Sequence, residues 1–209
     1  MKSFIVEFWS RVFSVLEKLS LFWVVRKSIS AAKESYHFVD GWVLGNLLLS
    51  VVVLLLCSAT NLRWWEAIAV SYGGIRVFEV IIYQINVLLF DEYRARKVGK
   101  PYAVRGFRRI VILLLHNYAE IIFWFALFYR NLEWAFETRG VIINSFFASL
   151  NFSFATMTSF GYTTITPKET WGDTLVFIQS VIGLFMALLI LARFISLIPK
   201  PKTLDEFER

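Results

Sequence analysis

"TMTSFGYTTITP", residues 156–167, gathers six serine and threonine residues around one glycine and one tyrosine. It does so inside an uncharged run, 140–167, of an otherwise oily chain. Non-helical backbone at membrane depth persists only where it is buried in protein or lines a watery cavity. Upstream, "INSFFASLNFSFATM" (143–157) has the length and aromatic content of a short helix pointing into the membrane. Behind it, Ser159, Phe160, Gly161 and Tyr162 offer consecutive carbonyls. Turned towards a shared axis, these would replace the hydration shell of a dehydrated cation. Gly161 is suited to the unusual backbone angles this requires, and Tyr162 is placed to brace the strand from behind.

Composition sets the class. Of 209 residues, 57% are hydrophobic and 18% aromatic, with a mean hydropathy of +0.60, which places the chain with membrane proteins. The net charge of +6 does not call for nucleic acid, because basic residues flanking apolar spans are the ordinary membrane pattern and no base-stacking motif accompanies them. A single cysteine, Cys57, excludes an internal disulfide, and with only His37 and His116 beside it no structural zinc site is expected.

Four stretches are long and apolar enough to cross a bilayer: 41–62, 64–90 (interrupted by Arg76 and Glu79), 110–129 (containing His116, Asn117 and Glu120) and 174–192. The run 140–167 is either a fifth span or a segment that enters and returns. Charge decides between them. Lys and Arg number six before residue 40, seven in 91–109 and four from Arg193 onward, against one, two and one in 61–65, 130–139 and 168–173. Four spans with a re-entrant 140–167 put all three basic segments on the cytoplasmic side, whereas a fifth span would put the basic C-terminus outside. The re-entrant reading follows.

The N-terminal segment has no signal-peptide core, because Lys2, Glu7, Arg11, Glu17 and Lys18 interrupt it. Polar residues at 3, 7, 10, 11, 14, 17 and 18 fall on one helical face, with Phe4, Phe8, Trp9, Val12, Phe13, Leu16 and Leu19 elsewhere. That pattern predicts an amphipathic helix lying in the cytoplasmic interface or packing on the chain's own spans. Pro199 and Pro201 end the last helix before a short tail.

With these features in place, the chain resembles the pore module of tetrameric potassium channels. Their usual signature, Thr-x-Thr-Thr-Val-Gly-Tyr-Gly-Asp-x-x-Pro, aligns without gaps on 156–167. Thr156, Thr158, Gly161, Tyr162 and Pro167 match, and Ser159 replaces a threonine conservatively. Phe160 stands for valine, Thr163 for the second glycine and Thr164 for aspartate. An outer helix, a pore helix and an inner helix surround the signature in the right order, and the resemblance covers about 108–198. It implies a homotetramer, because one chain supplies one quarter of a filter. It also implies K+ ions held by the carbonyls of Ser159, Phe160, Gly161 and Tyr162 and the Ser159 hydroxyl. Thr163 lies at the outer end, and Thr156, Thr158, Thr164 and Pro167 support the filter.

Other positions carry two readings. Gly183 lies in mid inner helix, as a bending point or as a small residue for close packing. Glu133, Glu137, Glu169 and Asp173 would concentrate cations at an outer mouth or be solvated loop acids. Arg76, Glu79 and Glu120 lie at similar membrane depth and must pair, structurally or as a gating or proton-sensing device. No span carries arginine at every third position, so no voltage sensor is expected, and the residues after the inner helix are too few for a gating domain.

The expected architecture is an all-α membrane protein with four transmembrane helices, a re-entrant pore helix and filter, and an N-terminal interfacial amphipathic helix. Its segments are 1–35 (interfacial helix), 36–107 (two spans and a basic cytoplasmic linker), 108–198 (pore module) and 199–209 (cytoplasmic tail). The expected function is passive conduction of monovalent cations, K+ preferred. The alternatives are a weakly selective cation channel and a non-conducting scaffold or receptor subunit. No organic cofactor is expected; the partners are further copies of the chain and the lipid bilayer, not nucleic acid. The expected location is a bacterial cytoplasmic membrane with both termini cytoplasmic. Enzymatic activity is not expected, since His116 and Glu120 have no nucleophile or metal set beside them.

Overall fold

A computed structural model of the chain describes residues 3–28, 36–60, 63–99, 101, 106–140, 142–161 and 164–198. The protein is mostly helical. Helices α1 (Phe4–Lys18) and α2 (Leu21–Ser28) precede α3 (Tyr36–Ala59) and α4 (Arg63–Ile85). One π-helical turn (Asn86–Phe90) joins α4 to α5 (Asp91–Lys97). Then come α6 (Phe107–Asn131), a 3-10 turn (Glu133–Ala135), strand β1 (Phe136–Thr138), α7 (Phe146–Thr158), strand β2 (Ile165–Pro167) and α8 (Thr170–Ile195).

Four helical stretches have the length and composition of membrane spans: His37–Ala59, Trp64–Lys97, Phe107–Asn131 and Thr170–Ile195. The second departs from the expected 64–90. It runs on through the π turn and "DEYRARK", because acids open α5, basic residues close it, and Glu92 and Arg96 pair four residues apart. Part of the basic linker is therefore helix rather than loop.

α6 is the central helix, touching α3, α4, α7 and α8. Its sequence explains why. Ile121, Trp124, Phe125, Ala126, Leu127 and Tyr129 are buried around nearly its whole circumference, so it needs neighbours on several sides. Trp124 lies over α4 at Gly73, where an added Cβ would come within 2.6 Å of the indole. Only glycine leaves room for that ring.

The N-terminal segment is two helices, broken at Leu19 and Ser20, rather than one. α1 turns part of its polar face inward. Ser10 is buried, Arg94 donates to the Ser10 carbonyl (3.0 Å) and to Asn86 Oδ1 (2.7 Å), and Asn86 donates to the Phe13 carbonyl (3.3 Å). Phe4, Ile5, Phe8, Trp9 and Leu19 are left pointing away from the protein. The helix thus packs on the α4–α5 stem through Ser10 and through Phe13, whose ring stacks on Phe90 at 5.5 Å, and leaves a second apolar group, Phe4, Ile5, Phe8 and Trp9, facing outward.

Candidate functional site: the segment between α6 and α8

β1 and β2 pair antiparallel, with Phe136 opposite Pro167, Glu137 opposite Thr166 and Thr138 opposite Ile165. The backbone N–H of Arg139 extends the ladder by donating to the Thr164 carbonyl at 2.9 Å. Residues 139–164 therefore leave and return to the same edge, with α7 inside the excursion. The carbonyl of Ala135 also accepts from the N–H of Lys168 (3.0 Å) and of Glu169 (3.4 Å), and an added Cβ on Gly172 would meet it at 2.7 Å. The start of α8 is clamped to the 3-10 turn that follows α6. Neither strand is legible in the residues, since three-residue strands are too short for a period-two pattern to register.

α7 starts where Ser145 caps it, its Oγ accepting from the N–H of Ala148 at 3.2 Å. It is then wedged between α6 and α8. Ser153 Oγ donates to the Ile122 carbonyl of α6 at 2.7 Å. Gln179 of α8 donates from Nε2 to the Ser153 carbonyl (3.0 Å) and to Ser153 Oγ (2.8 Å), while its Oε1 accepts from the Tyr129 hydroxyl (2.6 Å). Ser153, Gln179 and Tyr129 are all fully buried, so this network ties three helices together within the interior. Tyr129 also packs edge-on against Phe152 at 4.6 Å between ring centres. Sequence reading missed Tyr129, Ser153 and Gln179; the one available signal was a glutamine in an otherwise apolar span.

α7 ends in a left-handed cap. Ser159 adopts φ 59, the Ser159 N–H donates to Thr156 O (3.3 Å) and the Phe160 N–H to Ala155 O (3.0 Å). Ser159 is the sole described non-glycine residue with positive φ, a position that usually falls to glycine. Gly161 follows with φ 73, the region in which a side chain is strained. Phe160, between them, is 82% exposed. Tyr162 and Thr163 lie outside the described residues.

The supporting residues are placed as follows. The Thr156 and Thr158 hydroxyls donate back into α7, to Phe152 O (2.9 Å) and Phe154 O (2.8 Å). Thr164 Oγ1 is buried without a partner, although the Thr164 carbonyl takes the Arg139 N–H. Pro167 lies in β2. Glu133, Glu137, Glu169 and Asp173 are exposed around the same end of the molecule as the strand pair, and Glu133 accepts from Asn144. Gly183 faces α7: an added Cβ would come to 2.3 Å from the Met157 carbonyl.

The intramembrane charges are brought together. Arg76 grips Glu120 with two parallel bonds, Nε to Oε1 and Nη2 to Oε2, both 2.9 Å, and reaches Glu79 Oε2 with Nη1 at 2.7 Å. None of the three is more than 4% exposed. The surroundings complete the shell. Trp124 Nε1 donates to Glu120 (3.0 Å), and Ser20 Oγ and the Phe22 N–H both donate to Glu79 Oε1 at 2.7 Å. Glu79 thereby holds the first turn of α2, a partner that sequence distance concealed. Beside this group a cavity of about 80 Å³ is lined by Trp42, Asn117 and Tyr83 among others. Its walls are mostly apolar, but Trp42 Nε1 and Asn117 Oδ1 are buried there without protein partners, and the space is roomy enough for a water to meet them. A second, part-buried pair near the C-terminal end of α6 was also missed: Arg130 bonds Glu66 at 3.0 Å and the Asn144 carbonyl at 2.7 Å.

Residues 110–200 match a family model described as "Ion channel". That segment supports an ion-channel family. It begins inside α6 and ends just past α8, enclosing the α7 excursion and both strands. Helices α1 to α5 lie outside it. No curated protein and no solved structure matches the chain.

Proposed function

We propose that the chain assembles as a homotetramer that conducts monovalent cations passively, K+ preferred, along the axis where four copies of 159–163 converge. The observation carrying this reading is the exit of α7. A helix clamped on two sides by buried hydrogen bonds delivers Ser159 and Gly161, both at positive φ, to a face that its own chain leaves open. Phe147, Phe154, Phe160, Phe177 and Leu184 are exposed along α7 and α8, the helices flanking that exit, and partner copies would cover part of this apolar surface. In this assembly the carbonyls of Ser159, Phe160, Gly161 and Tyr162 and the Ser159 hydroxyl are the ion ligands. A ring of carbonyl dipoles replaces hydration without needing a charged side chain. In this reading both termini are cytoplasmic, as the Lys and Arg distribution favours, and the setting is a bacterial cytoplasmic membrane.

Thr163 and Thr164, in place of glycine and aspartate, favour a less strict filter as the second reading. Flux from purified protein in liposomes, with K+ competed against Na+, separates the two. K+ flux resistant to excess Na+ supports the strict filter, and comparable fluxes support the permissive one. Absence of flux from a correctly assembled tetramer would mean a pore-like scaffold instead.

A further inference from the structure

The polar side of α1 does not close completely on the α4–α5 stem. Between them lies an open pocket of about 410 Å³, lined by Glu7, Ser10, Arg11, Ser14, Val15, Tyr93, Arg94 and Lys97. Three of these side chains are cationic and one is acidic. Glu7 is shared, accepting from Lys97 and from Arg11 at 3.0 Å each, so one carboxylate serves two cations. Those hydrogen bonds, Lys97 first and then Arg11, hold the Glu7 carboxyl below the usual carboxylate range. Arg94 is bound more fully, by the Ser10 carbonyl and Asn86, with Glu17 and Asp91 at 3.7 and 3.6 Å. The uncompensated positive charge thus sits on the Arg11–Lys97 side, beside the Ser14 and Tyr93 hydroxyls. On the same helix Phe4 and Phe8 are exposed along one flank of the pocket, and Ile5 and Trp9 are exposed on the face opposite it.

These two faces call for different phases. The apolar face is at home among acyl chains, and a helix buried that way sets its polar side at headgroup depth. A pocket with excess cationic donors and hydroxyls at that depth fits a phosphate diester carried on a lipid.

We propose that the cleft between α1 and α5 is a binding site for an anionic phospholipid headgroup, with Arg11 and Lys97 as its phosphate ligands and Glu7 as an internal competitor. It rests on the membrane assignment, not on the ion pathway, and it lies wholly outside the segment that matches the channel family. A lipid seated there would join the N-terminal helix to the long helix running down to Glu79 and Arg76.

The test uses the full-length assembly in detergent, with lipid retention read by native mass spectrometry against added phosphatidylglycerol or phosphatidylcholine. Phosphatidylglycerol is expected to be retained selectively. Arg11→Gln and Lys97→Gln should each weaken that retention about fivefold, with little effect on phosphatidylcholine. Glu7→Gln should strengthen it severalfold, a direction that misfolding cannot imitate. Arg139→Gln, on a distant exposed loop, should change nothing. Equal retention of the two lipids would overturn the proposal, as would failure of Glu7→Gln to tighten binding. Displacement by soluble glycerol phosphate at the same concentration as by the lipid would also overturn it, because the acyl chains would then contribute nothing.

Discussion

Gly183 of α8 lies directly against the carbonyl of Met157, the penultimate residue of α7. A methyl group there would stand 2.3 Å from that oxygen, and the obstructing atoms are backbone. The inner helix can approach the helix that carries the filter stretch only because position 183 has no side chain. Gly183→Ala should therefore push α8 off α7 and destabilise the chain by about 1–3 kcal/mol, the usual cost of overpacking. Thermal unfolding checks this. Cation flux measured on the same protein reads whether the displacement also disturbs the filter. An unchanged melting temperature would mean that α8 and α7 separate freely in the assembly.

The Tyr129–Gln179–Ser153 network gives a second prediction. Tyr129→Phe preserves the ring and its contact with Phe152 but leaves Gln179 Oε1 without its donor in a buried site. The cost should be about 1–3 kcal/mol. Gln179→Leu should cost at least as much, because it strands the Tyr129 hydroxyl and removes the donor to the Ser153 carbonyl together. A double variant, Tyr129→Phe with Gln179→Leu, should recover part of the sum. Chemical denaturation of the three variants provides the cycle.

The buried charges obey an order set by their count. Arg76 faces two carboxylates, so neutralising either one still leaves it a partner. Removing Arg76 leaves two carboxylates facing each other in low dielectric. Arg76→Met should thus be the most damaging single change, costing about 3–5 kcal/mol, with Glu120→Gln next, since Glu120 makes the two-pronged contact and also takes the Trp124 N–H. Glu79→Gln should be mildest in global stability but should loosen α2, whose first turn it holds. Hydrogen exchange over Leu21–Ser28 measures that local effect separately from global unfolding. Pairing Arg76→Met with Glu120→Gln should restore part of the loss. If all three single changes leave stability unaltered, the group is solvated rather than dry.

How much of this could be read from the residues varies with the range of the interaction. The four apolar helices, and a short helix ahead of the glycine-tyrosine stretch, follow from runs of hydrophobicity that any long helix displays. The grouping of Arg76 with Glu79 and Glu120 follows from the cost of leaving charge unpaired in lipid. Ser20 capping onto Glu79 does not, because nothing local marks which of many serines will meet a carboxylate 59 positions away. That Ser10 and Phe13 of α1 both meet the α4–α5 stem was equally hidden: amphipathicity identifies two faces and leaves open which residues meet protein. Gly73 and Gly172 belong to the same class, since their importance lies in the neighbour that arrives.

The last prediction concerns Gly161 and Thr163, two positions in the proposed pathway. Gly161 adopts φ 73, and nothing lies within 4 Å of where its Cβ would be. Space is therefore no obstacle to Gly161→Ala; backbone angle is. The left-handed region costs an ordinary residue about 1–2 kcal/mol, and in a tetramer that strain is repeated around one axis, where four carbonyls must keep their aim. Gly161→Ala is expected to abolish conduction while leaving the assembly intact by mass. Thr163 lies outside the described residues, and its expectation rests on chemistry alone. A β-branched residue is a poor tenant for positive φ, so the backbone after Tyr162 should take a more ordinary conformation, with the Thr163 hydroxyl supplying contacts at the mouth; the Thr164 hydroxyl, buried within the chain, supplies none there. Thr163→Gly should then be tolerated and should shift K+ over Na+ permeability or conductance. Bilayer recordings under asymmetric K+ and Na+ read both variants. Normal conduction by Gly161→Ala together with an unaltered Thr163→Gly would mean that ions do not pass through this stretch.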